Sequence, residues 1–190
     1  EYMPKQHERN SSVNFVVYHG WTASRHYLRG ISDENHTAVF LNPADRPIGN
    51  WPNAHSEGGG RFFVENFFSA LDDENEYYAD GRTVFLLKPT SADLTDATAY
   101  APVVEKLVSV VNSSDVAFER IQFRHADWSC ALDQVCDMQS ASWQTSAAVH
   151  VVNSRAVRFD RCTIANVGDY ALWADIGSRD VSVISSSLHD

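Results

Sequence analysis

Polar and apolar positions alternate with period two through the second half of this chain, and they do so three times at corresponding places. "NSSDVAFERIQF" occupies residues 112–123, "NSRAVRFDRCTI" starts 41 residues later, and "GSRDVSVISSSL" a further 24 residues on. Superposed, Val116, Val157 and Val181 form one column and Phe118, Phe159 and Val183 the next. Ile121, Cys162 and Ser186 follow, then Phe123, Ile164 and Leu188. Apolar residues two apart, with Glu119, Arg158 and Asp160 between them, mark strands that bury one face. The pairs Asn112-Ser113, Asn153-Ser154 and Gly177-Ser178 are turn formers. Before each turn stands a further strand pattern, "KLVSVV", "AAVHVV" and "ALWADI". At these offsets His150 shares a column with Ser109 and Ala174.

A unit of 24 residues built of short strands and turns has the size of one coil of a parallel β-solenoid. One coil cannot bury its own apolar face; stacked coils can, because each inward column runs on into the next. The first interval exceeds the second by 17 residues, which predicts a loop inserted between the first two coils at about residues 126–146. The rival fold, an antiparallel β-sandwich, has no need of the same residue types at the same offset in successive units.

Residues 1–100 lack the repeat and are expected to form a β-rich N-terminal elaboration, with the first coils over 101–190. Within the elaboration, "EYYAD" and "TVFLL" predict a β-hairpin with Asp80-Gly81 in its turn, closed by Pro89. The one candidate helix is "FVENFFSAL", residues 63–71, and it is short.

Several strings here resemble segments of carbohydrate-active β-helix proteins. Trp21, Ser24, Arg25 and His26 form one. A longer, ordered one runs through Phe63-Val64-Glu65-Asn66, Leu71-Asp72, Glu76-Tyr77-Tyr78-Ala79-Asp80, Val84-Phe85-Leu86-Leu87 and Pro89. The chain resembles glycoside hydrolase family 141 from about residue 14 to residue 190. It departs from that pattern at Tyr77, where the family has Trp, at Asn75, where it has Gly, and at "LLKP". The resemblance implies an all-β fold, a right-handed parallel β-helix (solenoid) with the N-terminal elaboration in front of it. It implies activity on a polysaccharide or oligosaccharide. In the family, many more coils follow a His-Asp such as His189-Asp190, so the chain is expected to be a fragment whose partner is the remainder of its own protein.

Glycoside hydrolysis needs two carboxyl groups about the scissile bond, and sugar rings stack on aromatic faces. Asp190 matches by position the Asp before the family's glycine-rich coil. It also shares a column with Asn166 and His125, where a structural polar ladder is the plainer reading. Asp169 and Asp175 are the other candidate catalytic carboxylates. Asp169 lies in a turn where solvated Asp is common, and Asp175 could cap the turn at Gly177. Trp173 stands two residues before Asp175, on the same side of a strand. Trp128 and Trp143 stand near the ends of the inserted loop. Trp128, Trp143, Trp173 and His125 are the candidate substrate contacts, each with a packing role as the alternative. His150 is either a buried structural histidine or an outward one.

Composition narrows the partners. Hydrophobic residues make up 44% and charged residues 21%, as in ordinary globular domains, and the net charge is −10. An acidic surface repels phosphate backbones, so no nucleic-acid partner is expected. No apolar run is long enough to span a bilayer, so no membrane partner is expected either. Asp127, Asp133 and Asp137 lack the alternating, glycine-containing pattern of a calcium loop, so no metal and no cofactor is expected. Cys130 and Cys136 stand six residues apart, as a local disulfide or as two thiols. The first would place the protein in an oxidising compartment, secreted or extracellular, although "EYMPKQHERN" carries no apolar signal core. A glycan-binding β-helix without catalysis and a polysaccharide lyase are the alternatives to hydrolysis.

Overall fold

The computed structural model describes residues 13–19, 22–44, 61–80, 83–130, 134–136 and 146–189. Strands dominate these residues and they contain no α-helix. The chain divides into two compact units, Glu1–Ala97 with Cys130–Ser142, and Thr98–Ser129 with Trp143–Asp190.

In the first unit, β1 (Asn14–Tyr18), β2 (Ala23–Ser32), β3 (Thr37–Phe40) and β4 (Phe62–Glu65) form an antiparallel sheet in the order β3-β2-β1-β4. β1 reads "NFVVY", β-branched and aromatic, and is central in the sheet with Phe15, Val16 and Val17 all buried. Val13, Phe15 and Leu28 form the core of this unit. Phe15 stacks on Phe62 at 5.5 Å and meets Phe40 edge-on at 5.2 Å. Asn42 is 4% exposed; its side chain accepts from the Tyr27 N–H at 2.8 Å and donates to the Arg25 carbonyl at 2.9 Å, so it extends the pairing of β2.

The predicted hairpin is present as β5 (Tyr77–Asp80) and β6 (Thr83–Leu86), paired from Tyr77–Leu86 to Asp80–Thr83. Gly81 and Arg82, at its tip, lie outside the described residues. The segment 63–71 differs from expectation. Its first residues belong to β4, and only Phe68–Ala70 turn, as one 3-10 turn. Asn66, in the left-handed region at φ 57°, breaks any continuation between the two. Its side chain bonds both the N–H and the carbonyl of Ala79, at 2.9 and 3.0 Å, tying the hairpin to the end of β4. Glu76 accepts from the Asp72 and Asp73 N–H groups, both at 3.0 Å. The ordered string that carried the family resemblance therefore consists largely of residues that brace this unit.

Cys130 and Cys136 are joined in a disulfide. The inserted loop that carries them belongs to the first unit: the Cys136 carbonyl accepts from the Arg25 N–H at 3.0 Å, and its sulfur from Asn42 at 3.3 Å.

The second unit holds the repeat. The first repeat supplies β7 (Val108–Val111), β8 (Ser114–Glu119) and β9 (Gln122–Ala126). The second supplies β10 (Ala147–Val152), β11 (Arg155–Asp160) and β12 (Thr163–Val167), and the third β13 (Tyr170–Ala174), β14 (Arg179–Ile184) and β15 (Ser187–His189). Like strands of the three repeats pair in parallel, giving three sheets ordered β7-β10-β13, β8-β11-β14 and β9-β12-β15. Parallel pairing rules out the antiparallel sandwich for this unit. Val157 faces Val116 on one side and Val181 on the other, and Phe159 faces Phe118 and Val183 likewise. Phe118 and Phe159 stack at 5.0 Å and 8°. Full burial of a Phe side chain stabilises by roughly 1.5–3 kcal/mol, and Phe159 is 1% exposed.

The turns repeat as faithfully as the strands. Left-handed residues recur at stacked corners: Asn112, Asn153 and Gly177; Asp115, Ala156 and Asp180; Arg120, Arg161 and Ser185; His125 and Asn166. Asn153 donates to the Asn112 side chain at 2.7 Å. In the third repeat Gly177 takes this corner at φ 75°, where a Cβ would lie 2.8 Å from Asn153 Oδ1.

One column departs from the sequence alignment. His150 pairs with Trp173, not Ala174. The third repeat has one residue more in the turn between Ala174 and Arg179 than the second has between Val151 and Arg155, so β13 runs one position out of step with the strands that follow it.

Candidate functional site

That shift brings a set of polar and aromatic side chains together. Val149 and Val151 are fully buried, so His150 between them projects from the opposite face of β10. Trp173, its neighbour on β13, lies against the imidazole with ring centroids 5.1 Å apart at 26°. Tyr170 meets Trp173 edge-on at 6.3 Å. Asp175, two residues on and on the same face, bonds His150 Nε2 through Oδ2 at 2.8 Å. Lys106 Nζ approaches His150 Nδ1 at 3.0 Å.

An ammonium only donates and a carboxylate only accepts. The tautomer with its hydrogen on Nε2 lets His150 accept from Lys106 at Nδ1 and donate to Asp175, bridging the ammonium and the carboxylate. Asp175 Oδ1 also accepts from the Ile176 N–H at 2.6 Å. That backbone bond first, and the His150 bond second, hold the Asp175 carboxyl below the ordinary aspartate value. Asp175 caps its own turn through Ile176 and holds His150 through its other oxygen.

Asp169 and Trp128 also come together. With Glu105, Asp127, Ser129 and Ser146 among their neighbours they line a shallow recess with room for about one water molecule. Trp128 is fixed from below: its N–H bonds Asp127 Oδ1 at 2.9 Å, and the Asp127 N–H bonds the Val104 carbonyl at 2.8 Å. Gly168 passes so close that a Cβ there would sit 2.4 Å from Trp128 Cβ. Ser129 donates to Glu105.

His125 stands apart from both groups. It occupies a left-handed corner at φ 62°, and Tyr100 stacks on its ring at 4.5 Å and 4°. Asn166 holds the corresponding corner of the second repeat, in keeping with a ladder of turn residues. Asp190 and Trp143 lie outside the described residues, as do Asp133 and Asp137. Among the described residues no group of three His, Cys, Asp or Glu side chains is placed to hold a metal ion.

Sequence reasoning missed Lys106, Glu105 and Tyr100 as site residues; Lys106 opens the "KLVSVV" pattern in a column with Ala147 and Ala171, and Glu105 and Tyr100 precede it. The meeting of Trp128 with Asp169 was available, since the two stand at the 41-residue offset that relates the first two repeats. No family model matches the chain, and no curated protein matches it. A solved structure described as "Glycoside hydrolase" matches with a TM-score of 0.69 at 19% identity, over 92% of this chain and 37% of its own. Likeness at that identity establishes the fold alone, and the chain spans little more than a third of the length of that protein.

Proposed function

We propose that this chain is part of a carbohydrate-active, right-handed parallel β-helix protein that acts on a polysaccharide as a glycoside hydrolase resembling family 141. The observation that carries the reading is the match over 92% of the chain to a glycoside hydrolase fold. It is supported by aromatic and carboxylate side chains gathered on one strand and its flanks, Asp169, Trp173 and Asp175. Further coils of the same protein would cover the third repeat, whose Val183 and Leu188 are 43% and 44% exposed, while Phe159 and Ile164, their equivalents in the second repeat, are 1% exposed. The disulfide between Cys130 and Cys136 supports secretion into an oxidising compartment.

In a two-carboxylate mechanism the proton donor needs a raised pKa and its partner stays anionic. Asp175, held anionic by Ile176 and His150, suits the nucleophile or base and not the acid. The acid would come from Asp190 or from a later coil; Asp169, at the other end of β13, stands roughly 20 Å from Asp175 at strand spacing, too far for a pair about one glycosidic bond. Hydrolysis of a polysaccharide panel by the full-length protein, beside its Asp169→Asn, Asp175→Asn and Asp190→Asn variants, tests this. Loss of cleavage with binding retained identifies the catalytic carboxylates. Binding without cleavage by the unaltered protein would make it a glycan-recognition scaffold. That second reading is favoured by one observation: Asp175 spends both oxygens on its own fold.

A further inference from the structure

The Lys106–His150–Trp173 group has a feature that neutral-sugar chemistry does not use. The ammonium has three N–H donors. Among the described residues one is given to His150 Nδ1, and Lys106 itself is exposed. Two donors therefore point to solvent from a cation held in place, its position fixed by an imidazole that is itself fixed by Asp175 and stacked on Trp173. A cation so held loses little side-chain freedom when it binds an anion, which is the usual cost of a surface lysine pair. Asp175 meets the far nitrogen of the imidazole, so its charge is separated from the ammonium by the width of the ring. Nearby, Trp173 and Tyr170 supply aromatic surface of the kind on which a pyranose packs its C–H face.

We infer that Lys106, with Trp173 beside it, forms a subsite for an acidic sugar, a uronate whose carboxylate pairs with the Lys106 ammonium while its ring packs on the Trp173 indole. The inference rests on the glycan reading above and narrows its substrate class. The acidic chain repels such a ligand at long range, so selectivity here is a contact effect, strong only where the carboxylate reaches Lys106.

The test is calorimetric titration of the protein with a uronic-acid oligosaccharide and with the same oligosaccharide after carboxyl reduction. A charge-assisted hydrogen bond predicts tighter binding of the acidic form by at least about tenfold. In Lys106→Met that preference disappears and affinity for the reduced form stays. In Trp173→Ala both affinities fall. Lys106 is exposed and outside the strands, so the Met variant is expected to fold; its thermal melt is the control. Equal binding of the two forms by the unaltered protein, or an undiminished preference in Lys106→Met, overturns the subsite and leaves the glycan reading standing. Binding of neither form nor of any other glycan overturns both.

Discussion

The two units are held together in opposite ways. In the second, each residue type does the same task two or three times over: valines stack on valines, Phe159 on Phe118, Asn153 on Asn112. In the first, almost every brace occurs once: Asn66 on Ala79, Glu76 on the turn before it, Asn42 on β2, Arg25 paired with Glu65, Cys130 with Cys136. A repeated unit needs only nearest-neighbour packing, so its stability is spread along columns. A unit without repeats needs specific partners, and losing one leaves a particular backbone group unsatisfied.

Four experiments press on this contrast. The largest effect is expected in the second unit, where in the 190-residue chain Phe159→Ala should cost about 3–5 kcal/mol in denaturant unfolding, while Val183→Ala, in the same column but 43% exposed there, should cost less than about 1 kcal/mol. Equal losses would show that the columns do not share burial as described. Next, reduction or a Cys136→Ser exchange should destabilise the first unit by about 2 kcal/mol. Hydrogen exchange should rise there and leave β10–β12 protected; a uniform rise would mean that the units unfold together. Third, Asn66→Ala leaves the Ala79 N–H and carbonyl without their bonds and should cost about 1–2 kcal/mol, read as faster exchange along β5 with β7–β9 unchanged.

The smallest effect is a titration. His26 is 1% exposed; burial first, and neighbouring His19 second, lower its pKa below 6.5, against an opposing backbone contact from Asn42. The unfolded chain then takes up the proton before the folded one. Stability is complete above about pH 6.5 and is lost as pH falls from there through the folded value. Asp175 follows the same direction in a more acidic window. Its pKa is depressed, so its contribution is present above the ordinary 3.8 and vanishes only as pH falls through the lower folded value. Exchange at mildly acidic pH should therefore rise around β2 first, and His26→Gln should flatten that slope. A slope unchanged by His26→Gln would assign it to other groups.

The columns of the second unit were legible because period two and a fixed offset are properties of a line of residues, and stacking merely continues them. So were the turn positions at Asn112, Asn153 and Gly177, since these residues tolerate φ above zero. Arg120, Arg161 and Ala156 share such corners without any local signature, because it is the paired strands on either side that hold them there. The same limit governed the candidate site. The pairing of Trp128 with Asp169 follows from the offset. The meeting of Lys106, His150, Trp173 and Asp175 does not, because one extra residue in the Gly177 turn slides β13 by a step, and hydrogen-bond register sets which step.

By itself, then, the sequence determined the strand content, the repeat, its two intervals, the hairpin and the inserted loop. These depend on local periodicity and on turn chemistry. Only the tertiary structure decided that the loop folds with the first unit through Cys136 and Arg25. It alone decided that "FVENFFSAL" becomes a strand end and one 3-10 turn, and that His150 sits between Lys106 and Asp175. Each of these depends on which distant backbone or side-chain group completes a hydrogen bond, and that partner is chosen by packing across space, not by neighbours along the chain.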